Sequence, residues 1–475
     1  MNEDLLSRAE AVAAVANARF DATLERLRRY LAIPAISCEA AHAPDVQALC
    51  ELVAGELSAL GFEEVAVRRL DGALPLVSAA WRRESDAPTL LIYGHLDLQP
   101  VAGEPWSTPP HEAVVRDGRL YARGAADDMG GWLSHLAALE AWLSAHDSPP
   151  LNIRLIIEGE EEIGSPNLQA YMDAHPEDFA ADVMVLTDCE NPSTEVPGLT
   201  TSLRGLLELE LGCEALTADV HSGLWGNAAP DVSTALIKLL SRIIDDDGRL
   251  AVGRVEVPDA WRDKAADVPL DGEVIRVGGH LREDVDPLPQ RGRSYAEWLW
   301  RQPSVTVLST TLPAPGAEKN ALRSRASALL SLRIAPGQTR EELLSALETA
   351  LQSAPPPGVR VSLEARPAGA RSWLYEPRGP VFEAADRAYR RSWGQGMVEV
   401  GVGGSIPFVA LFAERFADLP LILNGVMDPR TGAHGPDESM DIEVFRKAIL
   451  ANVYLYAEIA DTLAAGAPNA PRSAA

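Results

Sequence analysis

The segment TLLIYGHLD, Thr89 to Asp97, is an unbroken apolar run that turns polar at its end. Three further segments share the design: NIRLIIEGEEE (152–162), DVMVLTD (182–188) and LPLILNGV (419–426). Helical patterns lie between them, as in Gly131 to Ala145. A strand that reads as continuously apolar is covered on both faces, and strands that alternate with helices form a largely parallel sheet. The fold class is therefore α/β, built on a mostly parallel mixed sheet.

Outward from that core, residues 5 to 31 repeat apolar positions at helical spacing until Pro34 ends the run. A second helix is expected over Val46 to Leu60, stopped by Gly61. From about Thr200 the character changes. The runs LRGLLELELGCEA and ALLSLRIAP alternate apolar with polar residues, as half-buried antiparallel strands do. Helix patterns at 231–245 and 339–352 accompany them, which marks an inserted α+β unit. Its expected end is PPPGV at 355–359, with the α/β pattern returning after Arg371. The expected division is a discontinuous catalytic domain, 1–199 and 371–475, and an inserted domain, 200–370. The stretch Pro258 to Arg301 is polar and irregular and takes no assignment. The tail AAGAPNAPRSAA (464–475) is low in complexity and reads as disordered.

The 475 residues suit two or three domains, and a 47% apolar share is ordinary for a globular chain. Lysine plus arginine number 42 against 69 acids, a net charge of −27. Phosphate backbones and anionic membranes repel such a chain, so neither nucleic acid nor membrane is an expected partner. No apolar run approaches the ~20 residues that span a bilayer. The N-terminus starts with acids and continues as an amphipathic helix, unlike a secretory signal. Cys38, Cys50, Cys189 and Cys213 lack CxxC spacing and read as reduced thiols. The expected location is cytoplasmic.

Each core strand ends in chemistry. TLLIY runs into His95 and Asp97, RLIIEG into Glu160, Glu161 and Glu162, VMVL into Asp188, and LILNGV leads to His434. Asp127 and Asp128 add two more acids from the loop LYARGAADDMGG. In an open α/β sheet, ligands bind outside the carboxyl ends of the strands. Singly, a His-x-Asp pair reads as a surface pair and an acidic triplet as a solvated face. Gathered on one rim, these carboxylates repel one another unless cations are present. Imidazole and carboxylate without thiolate suit Zn²⁺, Mn²⁺ or Co²⁺. The expectation is a two-metal site.

Six motifs now carry a resemblance: YGHLDLQP (93–100), LYARGAADDMGG (120–131), EGEEEIGS (158–165), DVHSG (219–223), GGSIP (403–407) and GAHGPDE (432–438). In this order they are similar to the zinc exopeptidase family M20. That family includes carnosinases, bacterial dipeptidases, glutamate carboxypeptidase, acetylornithine deacetylase and succinyl-diaminopimelate desuccinylase. RQPSVTV (301–307) and the long insertion resemble its dipeptidase and carnosinase branch. The resemblance implies one metal on His95 and Asp188, another on Glu162 and His434, and Asp127 bridging the two. Asp128 would be structural, and Asp97 would hold the other imidazole nitrogen of His95. Glu161 would be the general base. His221 would reach the partner subunit's site and stabilise an oxyanion, which implies a homodimer through the inserted, lid-like domain. Arg333 would bind the substrate carboxylate, with Gly404 and Ser405 lining the same pocket. The metal pair would be zinc first, with manganese or cobalt as alternatives.

Three positions depart from the family pattern. Val402 stands where an acid would meet a free substrate amine, Met129 replaces a lysine, and Arg323 replaces a proline. None is an expected ligand. The implied activity is hydrolysis of dipeptides or small peptides bearing a free carboxylate. Val402 keeps an alternative open, an N-acyl-amino-acid amidohydrolase with the same machinery. A third reading is a silent binding protein of this fold. It would have lost a ligand or the base, and here every one is present.

Overall fold

The computed structural model describes residues 1–83, 87–314, 316–416 and 419–464. The tail at 465–475 lies outside them. A six-stranded sheet runs in the order Glu63–Arg68, Leu76–Trp81, Asn152–Glu158, Thr89–His95, Val183–Leu186, Leu421–Leu423. The last four are mutually parallel, and an antiparallel pair forms the other edge. The expected α/β class with a mostly parallel central sheet is thus the observed one.

Alternate residues of each strand enter different cores. Leu90, Ile92, Ile153, Leu155 and Val185 pack with helices Glu3–Ala18, Met129–His146 and Ile442–Ala464. Leu91, Tyr93, Ile156, Met184 and Leu186 pack on the opposite face with Phe408 and Phe412 of helix Pro407–Arg415. Both faces being buried explains why these strands read as continuous apolar runs.

A second, four-stranded antiparallel sheet has the order Ser304–Thr310, Arg325–Ile334, Gly205–Glu214, Arg360–Ala370. Its buried residues alternate: Leu207, Leu209 and Leu211 face helices Val232–Ile243 and Arg340–Gln352 in an apolar core of their own. A small sheet links the two parts, with Gly198–Leu203 between Trp373–Leu374 and Val398–Val402. No described helix is long and apolar enough to cross a membrane.

Some expectations change. The helix foreseen over 5–31 is two helices, Glu3–Ala18 and Phe20–Leu31, with a turn at Arg19 that puts Phe20 against Phe445. The second expected helix is observed as Ala43–Ala59, and Gly61 beyond it takes φ +93°, a conformation glycine adopts without strain. The unassigned stretch holds helices Asp259–Ala265 and Gly272–Gly278 and a wide helical turn, Glu297–Arg301. The strand Arg360–Ala370 had no counterpart in the sequence reading. The four cysteines are free thiols, Cys38 exposed and the others buried.

Candidate metal centre and active site

The rim of the parallel strands is assembled by backbone bonds before any cation is considered. His95 closes its strand with a fully buried ring. Its carbonyl accepts from Trp132 Nε1 at 2.9 Å, and its amide donates to Asp128 Oδ2 at 3.2 Å. The same Oδ2 accepts from Thr187 Oγ1 at 2.6 Å, so Asp128 ties the loop before helix Met129–His146 to two strand ends. Glycines make that possible: a Cβ at Gly94 would stand 2.5 Å from Asp128 Oδ2, and one at Gly131 1.9 Å from Oδ1.

Asp127, next in the chain to Asp128 across a cis peptide bond, turns to the rim. Its Oδ1 lies 3.1 Å from His95 Nε2 and its Oδ2 3.0 Å from His434 Nε2. Glu162 Oε2 lies 3.3 Å from His434 Nε2. Donor atoms of His95, Asp127 and Asp188 lie within 4.8 Å of one another, and so do those of Asp127, Glu162 and His434. Two donors bound at about 2.1 Å to one tetrahedral ion stand about 3.4 Å apart, so the spacing fits two cations sharing Asp127. Glu161 Oε2 is 4.0 Å from His95 Nε2, beside the pair.

The electrostatics point the same way. Burial, then the charge of Asp127, pushes the Asp188 carboxyl up to about 7. Burial raises Glu161 well above the carboxylate range and raises Glu162 as well, with neighbouring acids adding to it. Burial opposes Asp127 too, yet hydrogen bonds from His434 and His95 hold it below its ordinary value. Divalent cations would relieve this crowding, and the nitrogen and oxygen donors are those that Zn²⁺, Mn²⁺ or Co²⁺ accept.

Asp97 does more than the sequence implied, and Gln99 and Glu438 escaped it. Asp97 was expected to hold the other imidazole nitrogen of His95, and Nδ1 lies 3.1 Å from its carbonyl and 3.6 Å from its Oδ1. Its Oδ1 and Oδ2 also accept the backbone N–H groups of Glu161 and Glu162 at 3.1 and 3.0 Å. Asp97 therefore holds the turn that carries both acids. Gln99 Nε2 donates to Glu162 Oε2 at 2.7 Å. Glu438, fully buried and paired with Arg123 at 3.0 Å, accepts from the amides of Gly124, Ala126 and Asp127. Its only sequence signal is its place at the end of GAHGPDE. Glu160 turns inward, taking the Leu74 amide at 2.7 Å.

The remaining expected residues stand apart from this cluster. His221 is exposed on a short strand paired with Ala321–Leu322, and its Nδ1 accepts from the Gly223 amide. Arg333 is half-buried on its strand, opposite Ser304, and burial lowers its pKa. Gly404 and Ser405 lie in the half-buried loop between strand Val398–Val402 and helix Pro407–Arg415. Val402 packs on the apolar cluster that includes Leu203 and Phe408.

Comparison with known proteins adds to the geometry. Residues 91–458 match the model of peptidase family M20/M25/M40. The chain is 32% identical to the cysteinylglycine-S-conjugate dipeptidase of Corynebacterium striatum over 404 residues, 84% of this chain and 87% of that protein. It is 26% identical to the Cys-Gly metallodipeptidase dug1 of Schizosaccharomyces pombe over 452 residues, 90% and 94% of the two chains. Its fold is shared with human carnosine dipeptidase 1, at a TM-score of 0.76 and 23% identity over 95% of this chain and 99% of that one.

Proposed function

The chain belongs to peptidase family M20/M25/M40, and from that membership we propose that it is a di-metal dipeptidase. It would hydrolyse the amide bond of dipeptides or small peptides that carry a free carboxylate. The observation that carries the reading is the pair of donor groups sharing Asp127, with Glu161 beside them. His95 and Asp188 would hold one divalent cation, Glu162 and His434 the other, and Asp127 both, zinc first among the metals. Bound there, such cations supply Lewis acidity, polarising a carbonyl and acidifying a water.

The chain's own groups do the rest. Glu161 takes the proton of the attacking water and returns it to the departing amine. Asp97 keeps Glu161 and Glu162 in register through their backbone amides. His221 of a second subunit stabilises the oxyanion, so the working form is a homodimer. Its interface is the lid unit, 200–370, set into a catalytic unit of 1–199 and 371–475. Arg333 pairs with the substrate carboxylate, and Gly404 and Ser405 line that end of the pocket. The enzyme works in the cytoplasm.

The relatives described above are named for dipeptides, and none for an N-acyl amino acid, so the acylated-substrate reading is set aside. The deciding experiment is a mass-spectrometric competition on the Zn²⁺- or Mn²⁺-loaded protein. Free dipeptides are mixed with their N-acylated counterparts, beside a chelated control. Chelator-sensitive loss of the free dipeptides is expected; preferential loss of the acylated ones would overturn the proposal.

A further inference from the structure

Arg204 is 9% exposed, and a cation so buried ordinarily has a carboxylate for a partner. Among the described residues it has none. Its Nε donates to the Gly403 carbonyl at 2.9 Å, and its Nη1 to Ser304 Oγ at 3.1 Å and the Gln302 carbonyl at 3.3 Å. Its backbone amide bonds the Val402 carbonyl. A Cβ on Gly403 would come within 2.9 Å of Nη2, so the guanidinium and that glycine fit each other closely.

Arg333 lies directly across its ladder from Ser304, the residue that holds Arg204. It also has no ion pair among the described residues. Burial, and then the charge of Arg333, lowers the Arg204 pKa to about 10. Two adjacent guanidiniums without an acid, in a chain of net charge −27, form a local positive spot whose missing component is an anion.

We infer that Arg204 is a positioning residue of the substrate-carboxylate subsite, clamping the Gly403–Ser405 loop against the strand that faces Arg333 and adding a second cation to it. This rests on the peptidase reading above. The ligand is the terminal carboxylate of the peptide, paired with Arg333, while Arg204 sets the distance between that guanidinium and the Gly404–Ser405 loop. A lysine in its place would keep the charge but lose the fork that spans three acceptors.

The test uses full-length, metal-loaded protein and a dipeptide that the wild type cleaves, beside the C-terminal amide of that dipeptide. Arg204→Met is expected to raise KM for the free acid about 10- to 100-fold and to change kcat less than about 3-fold. The amide, which has no carboxylate to lose, should be cleaved by variant and wild type within about 3-fold of each other. Arg204→Lys should recover part of the KM. If Arg204→Met does not fold, Arg204→Lys and Ser304→Ala report the same contrast. Equal losses on acid and amide, or a loss confined to kcat, would overturn the inference. A wild type with no chelator-sensitive cleavage of any dipeptide would instead sink the activity on which it rests.

Discussion

His95 and His434 reach the two oxygens of the same carboxylate, yet His95 is fully buried while 57% of the His434 side chain is exposed. His95 ends a central strand, and Trp132 and Asp128 hold its backbone. His434 sits in a loop at φ +63°, a left-handed conformation that costs a non-glycine residue energy. One half of the site is thus built into the sheet. The other half depends on a loop brought back to the sheet, with Glu438 buried against the amides beside Asp127. Donor sets of similar chemistry can differ in how firmly they hold an ion, because the energy needed to keep the donors together differs.

The strongest blow to both halves is the loss of what they share. Asp127→Ala is expected to remove both ions and to cut turnover by about 10⁴-fold or more, read by metal analysis and kinetics on the same sample. Retention of one full equivalent would show that Asp127 serves only one half. Glu161 belongs to neither, so Glu161→Gln should lower kcat by roughly 10²- to 10⁴-fold while metal content stays at the wild-type level. Metal loss in that variant would move Glu161 into the ligand set and exchange its role with Glu162.

The asymmetry itself is read by chelator titration. The open, His434 half should empty first, giving two steps in metal content, with the larger fall in melting temperature at the second. Each ion present at 100 times its Kd contributes about 2.7 kcal/mol to stability. A single step releasing both ions together would erase the distinction. His434→Ala should retain one equivalent, whereas His95→Ala should lose its ion and much of its thermal stability.

The smallest effect lies in the support behind the closed half. His135, buried in helix Met129–His146 and bonded to Tyr456 at 2.9 Å, is pushed down by burial to about 3. Its folded pKa lies below the unfolded value of about 6.5, so the unfolded chain takes up the proton first. Stability is whole above about pH 6.5 and falls as pH drops toward 3, by about 2 kcal/mol at pH 5. Chelated wild type and His135→Phe, melted at pH 7 and pH 5, should differ in their acid response. An identical shift in both would mean that His135 does not carry it.

The parallel strands were legible because burial on both faces leaves a simple apolar signature that TLLIY and VMVL display. The candidate donors His95, Glu162 and Asp188 were legible because each follows such a strand, and Asp127 because its loop carries two adjacent acids. Arg360–Ala370 was not, because its ladder is irregular between Ala365 and Gly369, which breaks the alternation that would mark it. Ser304–Thr310 is an edge strand with mostly exposed residues, and it drew notice only as a motif. The helices inside 258–301 are short and bury little, so nothing periodic marks them. Gln99, Glu438 and Arg204 act through backbone groups or single side chains that are distant in sequence, and no spacing rule encodes such partners. Asp97 shows the limit well. Its place beside the candidate metal donors could be foreseen, but the bonds of its carboxylate to two amides could not.

Strand Leu421–Leu423 pairs with Val183–Leu186, so the sheet closes only after the more than two hundred residues between them, the second sheet included, have been synthesised. His434 and Glu438 follow later still. Chains grow from the N-terminus, and early segments fold first. A nascent chain halted within the second sheet already owns His95, Asp127 and Asp188, but has neither His434 nor the Glu438 carboxylate that braces the Asp127 loop. Truncated translation products would therefore carry one ion at most and leave peptides uncut. Full metal stoichiometry becomes a mark of a chain synthesised through Glu438, and hydrolysis of dipeptides is withheld until that residue has been added.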